Sequence, residues 1–504
     1  MMLIDYRIGT TNWKVAVFSS DGNVVAQKSV AAKEEFDNFG ATYSAFSMWS
    51  MVASLIKDVL KHSPMPSAVT VTSMAEAGFP LDEFHQPIFN AITWYDQRTY
   101  PQVQFIKQHI AFDTLFEITG LEANSMFTLS KILWLKMNEP NVFASMKYWV
   151  SIADFINYKL TGEIVTDYSL ACRTQCFNIR KKRWSKTICD EFGIKESLFP
   201  QVKKAGTRVG SITKEAHDMT GLDIGIPIIL GGHDHHCAFL AGGALLQDGT
   251  VFDSSGTVES ILTLLPKGEE PPKIYKKIRI SNFIDPDRYI SMSGILASGG
   301  SVEWMIRSLY ENEGLPDYQE ILDAIEEVSP GSDGLLFLPH LTGAGAPKWE
   351  PRSKGAFVGL SVHHTKSHMV RAVYEGLCFE LKILLRSVEQ AFSSHENFFH
   401  TVGGGAKNRL WQQMKADITQ KSVRIPDIKD ATALGAALIA FVGLGVFTDF
   451  VDASRKTFKI LEEYEPSPTD NCTYKELFSI YETLYETLLP TNIKLDEFRR
   501  REVK

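Results

Sequence analysis

The stretch LIDYRIGTTNWKVAVFSSDGNVVAQKSV, Leu3 to Val30, sets the reading of the fold. Apolar and β-branched residues alternate along it and two turns interrupt them, which describes strand, turn, strand, turn, strand. Asp21-Gly22 between Val-rich runs is a hairpin signal, because glycine supplies the positive φ that a two-residue turn needs. The earlier turn, Gly9-Thr10-Thr11, is tight, carries two hydroxyls and has the size of a phosphate. A similar unit begins halfway down the chain: GTVFDSSGTVESILTLLP, Gly249 to Pro266, with Gly256-Thr257 in the place of Gly9-Thr10. Two such hairpins half a chain apart predict a duplicated architecture with a nucleotide held between the halves.

Outward from these units, AVTVTSM and IPIILGG have the unbroken apolar character of buried parallel strands. Helical periodicity runs over 46–60, 125–138, 368–392 and 410–419, and an amphipathic tail helix is expected over 471–489. Strand signals at ISMSGI, LLFLP and NFFHTVGGG alternate with these helices, which places the chain in the α/β class. A length of 504 residues exceeds one ordinary core. Gly242-Gly243 and Asp248-Gly249 cluster between the two hairpin units, so the expected domains are 1–245 and 246–504.

Composition narrows the functions. Hydrophobic residues make up 44% and charged residues 22%, average for a globular protein. A net charge of −8 without a basic run argues against nucleic acid as a partner. Six scattered cysteines form no CxxC pair; although Cys172 and Cys176 could share a helix face, no ligands stand nearby to complete a zinc site, and the cysteines are read as buried free thiols. The most apolar run, Ala433 to Phe447, falls short of the ~20 residues that span a bilayer and is expected to be a buried helix ending near Gly443 to Gly445. Met1-Met2-Leu3 leads directly into strand-like sequence, so neither a leader nor a membrane partner is expected, and a cytoplasmic location follows.

Phosphoryl transfer to an alcohol needs a base, backbone N–H groups around the phosphates and positive charge. The base candidate is Asp234 in IILGGHDHHCAFLAGG, where a β-run ends at Leu230 and two glycines make a turn; the carboxyl end of a strand is where α/β sheets bind ligands. A helix N-cap is the structural alternative for this acid. Consecutive His233, His235 and His236 diverge on a turn more often than they converge on a metal. Gly9-Thr10-Thr11, Gly256-Thr257, Gly299-Gly300 and Gly403-Gly404-Gly405 are the phosphate-cradle candidates, since glycine permits close backbone approach to an anion. No Walker-type G-x-x-x-x-G-K-[ST] occurs.

On these motifs the chain resembles the FGGY carbohydrate kinases from Leu3 to about Gly445. GAFVGLSVHHTKSHMVRAVYEG, Gly355 to Gly376, is similar to that family's second signature. GTT at Gly9, NAITWYDQRT at Asn90, LTGEIVTDYSLACRT at Leu160, GGHD at Gly231, SGT at Ser255 and GGGAKN at Gly403 match in order. The resemblance implies two RNase-H-like domains of the actin-like ATPase fold with an interdomain cleft, ATP and Mg²⁺ as cofactors, and a small sugar as substrate. It puts Asp234 on the catalytic aspartate, Thr10, Thr11 and Lys14 on the first phosphate turn, and Gly256 with Thr257 on the second. Gly300 joins that nucleotide surface, and Gly404 and Asn408 fall in the adenosine segment. Glu76 in TSMAEAG matches an acid that binds substrate hydroxyls, and Trp94 and Asp96 stand in the substrate-side motif W-x-D-x-R. Self-association as a homodimer is left open.

Three positions depart from the family pattern. Arg7 stands where D-x-G-T-T usually carries a metal-site Asp, and Asp5 lies ~7 Å further back along the strand, so the metal ligands are left unassigned. Ala75 and Met126 replace the Arg and Tyr of glycerol kinases, which argues against glycerol. The expected activity is phosphorylation of a terminal hydroxyl of a ketose such as xylulose, a polyol or a sugar acid. The competing expectation is a catalytically weakened sugar- or nucleotide-binding protein, on the strength of Arg7.

Overall fold

The computed structural model describes residues 2–8, 12–273, 278–311, 317–392, 396–468 and 471–502. Among them, two large sheets carry the chain. The first contains β1 (Met2–Ile8), β2 (Asn12–Ser19), β3 (Val24–Ala31), β4 (Ala68–Ser73), β5 (Arg208–Ser211) and β6 (Pro227–His233). The second contains β7 (Val251–Ser255), β8 (Glu259–Leu264), β9 (Ile280–Asn282), β10 (Tyr289–Ile295), β11 (Phe398–Val402), β12 (Ser422–Pro426) and β13 (Ile460–Tyr464). Their orders are β3-β2-β1-β4-β6-β5 and β9-β10-β8-β7-β11-β12-β13. In each, an antiparallel meander is followed by two parallel strands and closed by an antiparallel edge. The duplication expected from the two hairpin units is a strand-for-strand repeat, the second copy adding β9 at its edge. This is the two-domain actin-like ATPase architecture.

The expected helices occur as α1 (Ala45–Leu60), α2 (Thr128–Asn138), α6 (Lys366–Phe392) and α7 (Arg409–Thr419); α3 (Tyr168–Cys172), α4 (Asp234–Ala241), α5 (Gly299–Tyr310), α8 (Ala431–Gly443) and α9 (Asn471–Glu502) complete the set used below. In α1, the Ser44 hydroxyl accepts from Ser47 N–H to cap the first turn, and Met48, Val52, Leu55, Ile56 and Val59 form the buried stripe. Helix α2 starts three residues later than its periodicity suggests, because the carbonyls of Ser125 and Met126 accept from the Lys131 ammonium instead of from helical N–H groups. The tail helix runs past its expected end, through Pro490 to Glu502. Of the six cysteines expected to be buried, Cys472 is exposed. Cys172 ends α3 and Cys176 lies beyond it, so they share no helix face.

Strand β6 also continues further than expected. Gly231 and Gly232 belong to the strand and form no turn, and the register against β4 shifts between Leu230 and His233. A Cβ on Gly231 would lie 2.2 Å from the Val71 carbonyl oxygen, so glycine is what lets the strand stay against β4 there.

Helices α4 and α8 cross between the two sheets and join them. Phe239 of α4 rests on Phe252 of β7 at 5.4 Å, while α8, from the second half, packs on β1, β4 and β6 of the first. Their core mixes Ala16, Phe18 and Ile229 with Phe252, Leu262 and Ile290. The crossing is close: a Cβ on Gly435 would sit 1.8 Å from the Cys237 carbonyl oxygen, against backbone that has nowhere to go. The apolar run read as a buried helix is therefore clasped on all sides, and among the described residues no helix is long and apolar enough to cross a membrane. A second seam lies along β9, where Ile280 N–H donates to Gly120 C=O at 2.9 Å and the Asn282 amide to Ile179 C=O at 3.0 Å.

Candidate active site

Strand β6 delivers His233 and then Asp234 to the carboxyl end of the first sheet. His233 is the N-cap of α4, so Asp234 is the first helical residue and does not fill the capping position. A carboxylate there faces the positive end of the helix dipole. Its Oδ1 accepts from His235 N–H at 2.7 Å and lies 3.6 Å from His233 Nδ1. The Asp234 side chain keeps 13% of its surface exposed beside a 2% exposed His233. Burial pushes His233 down to about 4, despite the pull of Asp234 and Glu76, so the imidazole is neutral at physiological pH.

Three residues beyond β4, Glu76 is buried and bound by Arg173, which follows α3. Arg173 Nε and Nη2 lie 2.7 and 2.6 Å from the same Glu76 oxygen, Oε1. Burial alone would raise the Glu76 carboxyl, but Arg173 and then His233 outweigh it and hold it below its usual range. Glu76 and Asp234 thus stand within electrostatic reach of each other. Lys131 of α2 is fully buried within reach of Glu76 and Asp96, and burial pulls its ammonium down to about 7. Asp96 is also buried, and Arg98 Nε and Nη2 donate to its two oxygens at 3.0 and 2.9 Å while Nη1 and Nη2 donate to Asp37. Trp94 is half-buried against the first-sheet core, edge-on to Tyr95 at 5.3 Å.

The wall of this cluster is the segment 122–128, and it is held from both halves. Thr128 Oγ1 donates to the Glu76 carbonyl at 3.3 Å. Phe127, buried, lies between the guanidinium groups of Arg173 and Arg279 at 4.9 and 5.3 Å. Arg279 comes from the second half. It pairs with Glu122, approaches Met126 Sδ at 3.2 Å and stacks on Trp349 at 3.6 Å.

The glycine turns of the second half converge. Thr257 C=O accepts from Ser298 and Gly300 N–H at 2.9 and 3.1 Å, and Gly256 C=O from Gly299 N–H at 3.0 Å. Gly404 is exposed, and nothing lies within 4 Å of where its Cβ would be, so its backbone is open to an anion. Asn408 caps α7 by accepting from Trp411 N–H at 3.0 Å, and its amide donates to Tyr318 and Tyr374. Its side chain is thereby committed to holding the segment in shape. These exposed, glycine-lined turns fit the phosphates of a nucleotide. Gly9, Thr10 and Thr11 lie outside the described residues. Lys14, on β2, donates to Asp430 of the second half at 2.6 Å, and the β-register sets Arg7 between Lys14 and Thr72.

The structure thus brings Asp234 and Glu76 together, places Asp96 beside them through Lys131, and gathers Gly256, Thr257, Gly300 and Gly404 across the cleft. Arg173, Lys131, Arg98 and Arg279 were not singled out in sequence. Arg173 lies within the LTGEIVTDYSLACRT motif, but its partner is 97 residues away, a separation that no spacing rule connects.

The model of the FGGY family of carbohydrate kinases matches this chain in two parts, its N-terminal domain over residues 1–241 and its C-terminal domain over 254–444. A xylulose kinase of Lactococcus lactis subsp. lactis is 30% identical over 97% of this chain and 98% of its own length. Among solved structures, a ligand-bound xylulose kinase from Lactobacillus acidophilus superposes with a TM-score of 0.91 at 25% identity, over 98% of this chain and 99% of that one. A gluconate kinase from the same organism superposes with a TM-score of 0.90 at 25% identity, over the same shares.

Proposed function

Because the chain belongs to the FGGY family of carbohydrate kinases, we propose that it transfers the γ-phosphoryl group of ATP to a terminal hydroxyl of a neutral ketose such as xylulose, with Asp234 as the base. The observation that carries this reading is Asp234 itself: a partly exposed carboxylate at a strand–helix junction, facing the Glu76–Arg173 pair. Glu76 Oε2 and Asp96 are the substrate-side acceptors, with Trp94 behind them. Thr10, Thr11, Gly256, Thr257, Gly300, Gly404 and Asn408 are assigned to the nucleotide, with domains meeting at 245/246. Bound Mg²⁺ would offset phosphate charge, and its ligands stay unassigned. Lys14 serves the nucleotide only if it leaves Asp430.

Charge supports a ketose over a sugar acid. The carboxylates of Glu76, Asp96, Asp37 and Asp234 surround the cluster, against Arg173, Arg98 and a Lys131 pulled down to about 7. Among the described residues of this cluster no surplus cation is left for a substrate carboxylate, which would be desolvated against like charge. The names of the similar proteins, xylulose kinase and gluconate kinase, frame the choice. ADP release in a coupled assay should be faster on D-xylulose than on D-gluconate. Release on gluconate alone would reject the ketose and keep the kinase. A second reading, a weakened enzyme, rests on Arg7 in the register between Lys14 and Thr72; tight ADP binding with no release on any sugar would favour it.

A further inference from the structure

Three nucleotide turns of the second half lie far apart in sequence, at 256–257, 299–300 and 403–408, and one buried ammonium connects all of them. Lys415, on α7, is 1% exposed. Its Nζ donates to Asp253 Oδ2 at 2.5 Å, Glu259 Oε1 at 2.7 Å and Ser255 Oγ at 3.2 Å. Asp253 and Ser255 end β7 immediately before the Gly256-Thr257 turn, and Glu259 opens β8 immediately after it. The other oxygen of Glu259 accepts from Ser298 Oγ at 2.5 Å, and Ser298 precedes Gly299-Gly300. The third turn leads straight into α7, where Gln412 Nε2 donates back to Gly405 C=O at 2.9 Å.

We propose that Lys415 is a positioning residue for the nucleotide, fixing the three turns in one geometry through Asp253, Glu259, Ser255 and Ser298. The proposal rests on the kinase reading above, in which those turns hold ATP. Stability alone is a poor account of this cluster, because a buried ionic group can often be exchanged for apolar packing at no loss. What apolar packing cannot supply is direction. Each of the ammonium's three hydrogens has its own acceptor, on the two strands that flank the Gly256-Thr257 turn, and Glu259 passes the constraint on to Ser298 beside the Gly299-Gly300 turn. Burial and Glu259 push the Asp253 carboxyl up to about 8, against the pull of Lys415. Asp253 is further held by Thr401 Oγ1 on β11 at 3.0 Å, which ties in the strand that leads to Gly403.

The test measures ADP affinity by calorimetry, sugar KM and melting temperature in the wild type and two variants. Neutralising the whole cluster at once, in the triple variant Asp253→Asn, Glu259→Gln, Lys415→Met, leaves no unpaired buried charge. It is expected to fold, to lose about tenfold to a hundredfold in ADP affinity, and to keep its sugar KM. Ser298→Ala, which removes one hydroxyl, should weaken ADP binding severalfold with little change in melting. A folded triple variant that binds ADP within twofold of the wild type overturns the proposal. If the triple variant does not fold, Ser298→Ala decides, and unchanged ADP affinity there overturns it too. A wild type that binds no ADP refutes the kinase reading itself, a result distinct from either.

Discussion

Replacing Arg173 by Met removes the guanidinium whose Nε and Nη2 both sit on Glu76 Oε1, at 2.7 and 2.6 Å. The side chains of the pair are 0% and 7% exposed, so water cannot take the place of the lost partner. Breaking a buried pair from one side costs about 3–5 kcal/mol, because the remaining charge is left desolvated. Methionine keeps an apolar stem of similar length but gives up the guanidinium's place over Phe127, so the cost reports mainly on charge. For a chain of this length it corresponds to a fall in melting temperature of roughly 3–5 °C at neutral pH. The pH dependence carries a sign. In the wild type, burial raises Glu76 but Arg173 and His233 hold it below its ordinary 4.5, so its contribution is present above that value and lost as pH falls. In the variant, burial and Asp234 push Glu76 upward. The folded state then takes up a proton before the unfolded chain does, and the penalty is relieved as pH falls. Scanning fluorimetry from pH 8 to pH 5 should show the gap between the two proteins narrowing. Sugar KM should rise about tenfold to a hundredfold, the scale of a charge-assisted bond, with ADP affinity unchanged. A gap that stays constant with pH, or a sugar KM within twofold of the wild type, would refute this account of the site.

Asp234→Asn should lower kcat by about 10²-fold or more while ADP affinity and melting stay near wild type; near-normal turnover on the true substrate would remove Asp234 from the chemistry. Arg279→Met should raise sugar KM with little effect on nucleotide affinity, since the segment carrying Glu122 and Met126 loses its tie to Arg279 of the second half; equal losses for both ligands would point to general loosening instead. Asp154 is buried, and burial pushes its carboxyl up to about 7, so its contribution to stability is complete below its ordinary 3.8 and lost as pH rises through 7. Asp154→Asn, which retains an acceptor for Ser151 N–H, should therefore melt higher than the wild type at pH 8 by on the order of 1 kcal/mol or more. A wild type that is more stable at pH 8 would show that the carboxylate is ionised and paired.

Much of this protein could be read along the chain. The two hairpin units at Leu3–Val30 and Gly249–Pro266 announced a duplicated α/β architecture, because strand, turn and strand are local events written in neighbouring residues. The apolar run at Ala433, the periodicity of α1 and α6, and the placing of Asp234 after a buried strand were legible for the same reason. Errors fell where tertiary contacts overrode local preference. Gly231-Gly232 looks like a turn, but the pairing of β6 with β4 keeps it extended. Ser125 and Met126 look helical, but the Lys131 ammonium claims their carbonyls. The site was half visible: its acids stand in motifs, and so do Arg98 and Arg173, but which distant acid a cation meets is written in none of them. Arg173 meets Glu76, Arg279 meets Glu122 and Lys415 meets Asp253 across 97, 157 and 162 residues of chain respectively. A carboxylate's position can be read from the strand that carries it, but its partner is whichever cation packing brings within 3 Å: inside one half for Arg173 and for Lys415, and across the two halves for Arg279.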